Sequence, residues 1–184
     1  MKPALILIDI QNDYFPGGKM QLESSLEASV QAATLLARFR AHGLPLIHIQ
    51  HVSNRPGASF FLPDTEGVKI HANVTPLAGE TVVQKHFPNS FRGTTLLERL
   101  RELEADNLII AGMMTHMCVD ATTRAAFDLG FGCSLAQDAC ATRALAFGEE
   151  HVAAAQVHAA FLAALNGLYA KVQSAAAIAA QIAP

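Results

Sequence analysis

A three-layer α/β/α sandwich around a mostly parallel sheet is the fold class this sequence predicts, and two rhythms predict it. Short aliphatic runs without polar/apolar alternation read as strands buried on both faces, and Ala/Leu-rich stretches of helical spacing separate them. The first run is 4–8, followed by the polar, Gly-rich stretch 11–18 and an Ala-rich helix of about 17 residues. Ser24 or Ser25 is the expected cap of that helix, with Glu27 in its first turn, and His42-Gly43 ends it because glycine commonly follows a helix C-terminus. Residues 44–52 read as the second strand. The segment 53–79, with its Pro, Gly, Asn and Asp, is too long for a plain connection and reads as a lid or binding loop. Then come a strand at 80–86, a helix at 94–104, a strand at 107–112 and a helix at 117–129. A strand at 132–137, an Ala-rich helix at 149–165, an edge strand at 169–172 and a last helix reaching Ile182 complete the chain. No repeat, linker or charge run divides it, so one domain over 1–184 is expected.

Composition removes several function classes. A formal charge of −3 with 51% hydrophobic residues does not suit a disordered chain or a cationic nucleic-acid binder, and no apolar run approaches a membrane span. Near the N-terminus the apolar run has one basic residue and meets Asp9 without a small-residue cleavage site, so a secretory signal is not expected. The three cysteines, 118, 133 and 140, are odd in number and lack CxxC spacing, which favours a reducing compartment, and the expected location is cytoplasmic.

In an open parallel sheet, ligands bind beyond the carboxyl ends of the strands, so reactive side chains are sought just after each apolar run. Asp9 follows the first, Lys85 ends the third, and Cys118 lies past the fourth at the start of a helix. Asp9 is costly to ionise in a dry site without a cationic partner, which Lys85 can supply; its alternative is a loop cap. Lys85 is otherwise a solvated strand end. Cys118 follows a tight turn, where free backbone N–H groups, the helix dipole and Lys85 all favour thiolate; its alternative is a buried structural thiol. Cys133 and Cys140 lack such a setting. Strand alternation sends His48 and His51 to opposite sides of the sheet, which prevents their joint chelation of an ion; His86 and His116 are the histidines nearest the site because they flank Lys85 and Cys118. Gly17-Gly18-Lys19 lacks phosphate-loop spacing. Tyr14, Phe15, Phe60, Phe61, Phe87 and Phe91 fall in loops and are candidates for an apolar pocket or for core beneath the long loop.

Taken together, Asp9 in Leu7-Ile8-Asp9-Ile10-Gln11-Asn12-Asp13, Lys85 in Gln84-Lys85-His86-Phe87 and Cys118 in Gly112-Met113-Met114-Thr115-His116-Met117-Cys118-Val119 resemble the isochorismatase-like cysteine hydrolases, in the family's order and over nearly the whole chain. The resemblance implies a parallel six-stranded sheet, a homo-oligomer and an Asp-Lys-Cys triad. Cys118 would be the nucleophile, Asp9 the proton carrier and Lys85 the stabilising cation. The N–H groups of Met114 and Cys118 would form the oxyanion hole, with a cis bond at Met113-Met114. Gln11, Phe15, Phe60, Phe61 and His116 are the expected substrate-binding residues. A cysteine at position 118 points to C–N hydrolysis rather than vinyl-ether cleavage. The Asp-x-His metal pattern of nicotinamidases is missing from His48-Ile49-Gln50-His51-Val52-Ser53, so neither metal nor other cofactor is expected. The expected partner is a small amide-like substrate, with no nucleic acid and no membrane. The alternative is a catalytically silent binding module of the same fold.

Overall fold

The computed structural model describes residues 2–182, and they build one six-stranded parallel sheet with helices on both faces. Its strands are β1 (Pro3–Ile8), β2 (Leu46–His51), β3 (Thr81–Lys85), β4 (Asn107–Met113), β5 (Gly132–Ala141) and β8 (Lys171–Gln173). They lie in the order β3-β2-β1-β4-β5-β8. The chain first winds outward from β1 to β3 and then returns to the other side of β1 with β4. The seam between β1 and β4 is therefore the topological switch point, where crevices open at the strands' carboxyl ends.

The central strand explains the layering. Leu5 and Leu7 pack under helices α1 (Ser25–Ala41) and α5 (Ala175–Gln181), while Ala4, Ile6 and Ile8 pack under α2 (Leu96–Glu102), α3 (Asp120–Asp128) and α4 (Ala154–Leu165). Leu5, Ile6, Leu7 and Ile8 are each no more than 2% exposed, and burying each is worth roughly 1.5–3 kcal/mol. On α1 the buried set Ala28, Ala32, Leu35, Leu36 and Phe39 follows the helical repeat, which seats one stripe on the sheet. Among the described residues no helix is long and apolar enough to cross a membrane.

Several local expectations change. Neither serine caps α1 through its side chain: Ser24 is the capping residue but takes a left-handed backbone (φ 56°) and makes no side-chain cap bond. Residues 149–152, read as the start of a helix, instead form part of a hairpin: Gly148 and Glu149 make the turn and strand β7 (Glu150–Val152) pairs with β6 (Leu145–Phe147), the Gly148 φ of +60° suiting a tight turn. Strand β5 runs four residues past its predicted end at 137. Its pairing with β4 jumps from Leu135 to Cys140 while β4 advances only from Ile110 to Gly112, a bulge that carries Ala141 and Thr142 up beside the turn after β4.

The long loop 53–79 is ordered by the segment that follows β1. Gln11 bridges to Ile70, Asn12 N–H donates to the Lys69 carbonyl, Asp13 N–H to Gly67, and His71 N–H to Ile10. The buried Asp13 carboxylate accepts from Phe61 N–H at 2.6 Å and from Lys19 N–H at 3.1 Å. Gly67 is glycine for a steric reason: a Cβ there would sit 2.1 Å from Asp13 Oδ1.

Candidate active site

Three strand ends converge beside the β1–β4 seam. Asp9 follows β1 with φ 51°, a left-handed conformation that aspartate tolerates better than most residues. Lys85 is the last residue of β3, in register with His51, the last of β2. Cys118 lies beyond β4 in a widened turn, Thr115–Val119, in which Val119 N–H reaches back five residues to the Met114 carbonyl. Gly112 makes the approach possible: with φ +136°, a Cβ there would lie 2.0 Å from the Ile8 carbonyl oxygen, so only a bare backbone lets β4 close on β1 at this height.

The Lys85 ammonium is the centre of the cluster. Its Nζ lies 2.7 Å from Asp9 Oδ2, 3.1 Å from His51 Nδ1, 3.1 Å from the Phe87 carbonyl and 3.2 Å from Cys118 Sγ. Asp9 and Lys85 are 0% exposed and Cys118 is 5% exposed. Burial alone would favour a neutral amine, but the Asp9 carboxylate and the Cys118 sulfur outweigh it and hold the lysine above its ordinary range. An Asp9 oxygen, a His51 ring nitrogen and Cys118 Sγ fall within 4.8 Å of one another, the kind of donor set that surrounds a cation. The cation among them is the lysine's own.

Cys118 departs from expectation. Burial, reinforced by the Asp9 carboxylate, pushes its thiol well above the ordinary range in spite of Lys85. The helix start and the lysine do not by themselves make a thiolate here, because desolvation penalises the sulfur anion and the neighbouring carboxylate repels it. The resting sulfur is a thiol, and ionising it requires a base in contact. Asp9 lies within reach: a carboxylate oxygen is within 4.8 Å of Cys118 Sγ, and neither oxygen has a hydrogen-bond partner, the Lys85 contact being an ion pair. Burial holds Cys133 and Cys140 at about 12.

The turn carrying Cys118 is braced from two sides. Thr115 Oγ1 donates to the Ala141 carbonyl at 3.2 Å and meets His158 Nδ1 of α4 at 2.9 Å, while His116 Nδ1 meets Thr142 Oγ1. The Met113-Met114 peptide bond is cis, and the Met114 N–H is not among the donors of the backbone hydrogen bonds around the turn.

The remaining expected residues divide. Phe61, 1% exposed, lies edge-on to Tyr14 with ring centroids 4.6 Å apart and 5.9 Å from the His51 ring, and half-buried Phe60 packs on Phe61 at 4.9 Å. Phe61 thus lies beside the cluster, and Phe60 meets Phe61 and Tyr14. Gln11 is wholly buried. Its amide Nε2 donates to the His51 and Val68 carbonyls at 2.9 and 2.7 Å and its Oε1 accepts from His51 N–H at 2.7 Å, so both ends of the side chain are consumed by backbone. Phe15 is 4% exposed in the α1-side core, its ring stacked 3.6 Å from His71. His116 turns to Thr142 and to Phe161, 5.9 Å away, and His86 Nδ1 donates to the Val52 carbonyl at 2.7 Å, so neither meets the cluster as His51 does. His51 and the Phe87 carbonyl are the members that sequence reasoning missed. The rule of looking past each apolar run, applied to β2 as to the other strands, ends on His51.

The family model for the isochorismatase domain matches residues 3–177, nearly the full chain. The chain belongs to the isochorismatase family. It is 51% identical over 174 residues to the uncharacterized isochorismatase family protein YddQ of Bacillus subtilis, covering 95% of this chain and 97% of that one. The crystal structure of a putative isochorismatase hydrolase from Oleispira antarctica superposes with a TM-score of 0.94 at 50% identity, covering 97% of this chain and 96% of that one. A maleamate amidohydrolase of Pseudomonas putida is 31% identical over 144 residues, 71% of this chain and 68% of that protein. Isochorismatase-family relatives thus include hydrolases of C–N bonds, on the same α/β fold.

Proposed function

We propose that this isochorismatase-family chain is a cysteine hydrolase of a C–N bond in a small amide, ureido or carbamoyl compound. The observation that carries the reading is the buried contact of Asp9, Lys85 and Cys118 at the strand-end seam. The named activity of the maleamate amidohydrolase relative supports the same bond type.

The chemistry follows from the charges. Asp9 takes the Cys118 proton, which converts a buried carboxylate and thiol into a carboxylic acid and a thiolate; Lys85 keeps one negative charge paired throughout. The thiolate attacks the substrate carbonyl, and the Met114 and Cys118 N–H groups receive the oxyanion. Asp9 returns its proton to the departing nitrogen, leaving a thioester on Cys118. Water then attacks, Asp9 accepts a proton from it, and acid and free thiol are released. The loop bearing Phe60 and Phe61 selects the substrate.

The test is ammonia or acid release from a panel of primary amides, ureido acids, carbamoyl amines and lactams by wild type and Cys118→Ala, with and without chelator. Release that requires Cys118 and survives chelation is expected. No release from any member, together with a Cys118 that alkylates no faster than Cys133 or Cys140, would refute the reading and leave a binding module of the same fold.

A further inference from the structure

Tyr14 is buried beside the cluster, yet no step of the hydrolysis uses it. The residue is 2% exposed, and its ring is fixed edge-on to Phe61 at 4.6 Å and tilted against Phe60 at 5.9 Å. A buried phenol ordinarily gives its O–H to a protein acceptor. Among the described residues the Tyr14 hydroxyl has none, although its backbone N–H and carbonyl are both bonded, to the Gln11 carbonyl and the Leu22 N–H. The hydroxyl faces the reacting groups. Burial, then the Cys118 sulfur and the Asp9 carboxylate, hold the phenol well above its ordinary range, so it remains an O–H donor near neutral pH.

The cation that acts on Tyr14 is Arg143, and the sheet explains why. Ala141, the last residue of β5, is in register with Met113, so Thr142 and Arg143 leave the sheet at the height of the turn that carries Cys118. Thr142 is held there, its carbonyl accepting from Glu23 N–H at 3.2 Å and its hydroxyl meeting His116. Arg143 is exposed and has no ion-pair or hydrogen-bond partner among the described residues. Its charge reaches both Tyr14 and His116. It acts on the phenol more strongly than the carboxylate of Asp13, the preceding residue, which is turned to the Phe61 and Lys19 N–H groups.

We propose that the Tyr14 hydroxyl and the Arg143 guanidinium together read a carboxylate on the substrate, remote from the scissile C–N bond, so that amide or ureido acids are preferred to uncharged amides. The inference deepens the hydrolase reading and rests on it for the bond that is cut. An arginine only donates, and the phenol has only its O–H to give here, so one acceptor of full negative charge satisfies both. Tyr14 takes the buried side of that carboxylate and Arg143 the exposed side. An uncharged apolar group in the same place would cover the phenol and leave it unpaired, which is how a site built to donate rejects an analogue without an acceptor.

The test uses succinamate and 4-methylpentanamide, primary amides of equal length in which two methyl groups stand for the two carboxylate oxygens. Wild type is expected to favour succinamate in kcat/KM by about 100-fold, one factor of about ten for each hydrogen bond to the charged group. Tyr14→Phe keeps the ring and its contacts with Phe60 and Phe61, and Arg143→Gln removes the charge. Each should cut the preference by about tenfold, mainly through the KM for succinamate. A general loss of fold or of the nucleophile lowers both substrates together and leaves the ratio unmoved. A wild type that cleaves 4-methylpentanamide as well as succinamate, or a ratio unmoved in either variant, overturns the proposal. If neither amide is cleaved, alkylation of Cys118 decides, resolved from Cys133 and Cys140 by peptide mass. The ratio of its rates with iodoacetate and iodoacetamide should exceed that of glutathione by about tenfold and fall in both variants; a ratio no higher than glutathione's overturns the proposal. Alkylation does not depend on turnover. Uncleaved amides with selective alkylation therefore count against the hydrolase reading alone, and cleavage without preference for the acid against the carboxylate subsite alone.

Discussion

Replacing Lys85 with methionine keeps an unbranched side chain of similar length and removes one charge of a pair that is 0% exposed at both ends and 2.7 Å apart. What remains is a buried Asp9 carboxylate with no cation. Breaking such a pair from one side costs about 3–5 kcal/mol, because the uncompensated charge keeps its desolvation penalty. Against a total stability of about 5–15 kcal/mol for a domain, that is a large fraction. Lys85→Met is therefore expected to lower the urea midpoint strongly at pH 7, monitored by far-UV circular dichroism. Asp9→Asn alone should also destabilise, since it strands the ammonium. The double variant Asp9→Asn/Lys85→Met removes both charges together and should regain at least about 2 kcal/mol relative to the sum of the two single losses. Lys85→Met as stable as wild type, or a double variant that merely adds the single losses, would refute the argument that this pair is a coupled, desolvated unit.

Two further predictions concern the frame. Glu80 accepts from Arg40 Nε and Nη2 at 2.7 and 2.8 Å, from Leu77 N–H at 2.8 Å, and lies 3.0 Å from His48 Nε2; Arg40 above all holds its carboxyl down to about 2. Because this folded value is depressed, the group's contribution is fully present above its ordinary value of 4.5 and is lost as pH falls toward 2. Glu80→Gln should cost about 1–3 kcal/mol at pH 7 and flatten the wild-type fall in urea midpoint between pH 4.5 and 2; an unchanged acid limb would contradict the assignment. The glycines should separate by place. Gly67→Ala drives a methyl against Asp13 and should speed protease cleavage within 53–79 while the sheet stays folded, whereas Gly112→Ala meets the Ile8 carbonyl at the sheet centre and should abolish soluble folding. Equal effects from the two would show that loop and sheet are not separately held.

The parallel sheet was legible because its signal is redundant: uninterrupted aliphatic runs such as Leu108-Ile109-Ile110-Ala111 are buried on both faces wherever they occur. Asp9, Lys85 and Cys118 were legible as strand-end residues and became specific only as a set. What escaped was set by tertiary context. The chain 149–152 looked helical beside an Ala-rich segment, yet Gly148 turns it back into a hairpin, a signal present in the sequence but outweighed by composition. The bulge in β5 has no local signature, because its cause is the geometry of β4 next door. Gln11 stands two residues after Asp9 and was expected to bind substrate, but position along the chain does not reveal that both ends of its amide would be consumed by backbone. Alternation correctly sent His48 and His51 to different faces, and for that reason His51 was set aside as a ligand; the register that aligns it with Lys85 exists only once β2 and β3 pair. The Cys118 thiol was judged by its nearest cation and turn, whereas burial, a property of the whole fold, dominates it.

The way loop 53–79 is hung has an evolutionary meaning. It touches the sheet through a few fixed ties, chiefly the Asp13 carboxylate to Phe61 and the backbone pairings of residues 10–13 with 67–71. Between those ties most residues, Asn54 to Gly57 and Leu62 to Glu66 among them, are exposed. Those stretches can be rewritten, lengthened or recharged without disturbing a strand or moving Asp9, Lys85 or Cys118. Such a scaffold lets one bond-breaking centre be offered to many different molecules in turn, with selection acting on the exchangeable part while the costly buried part is inherited intact.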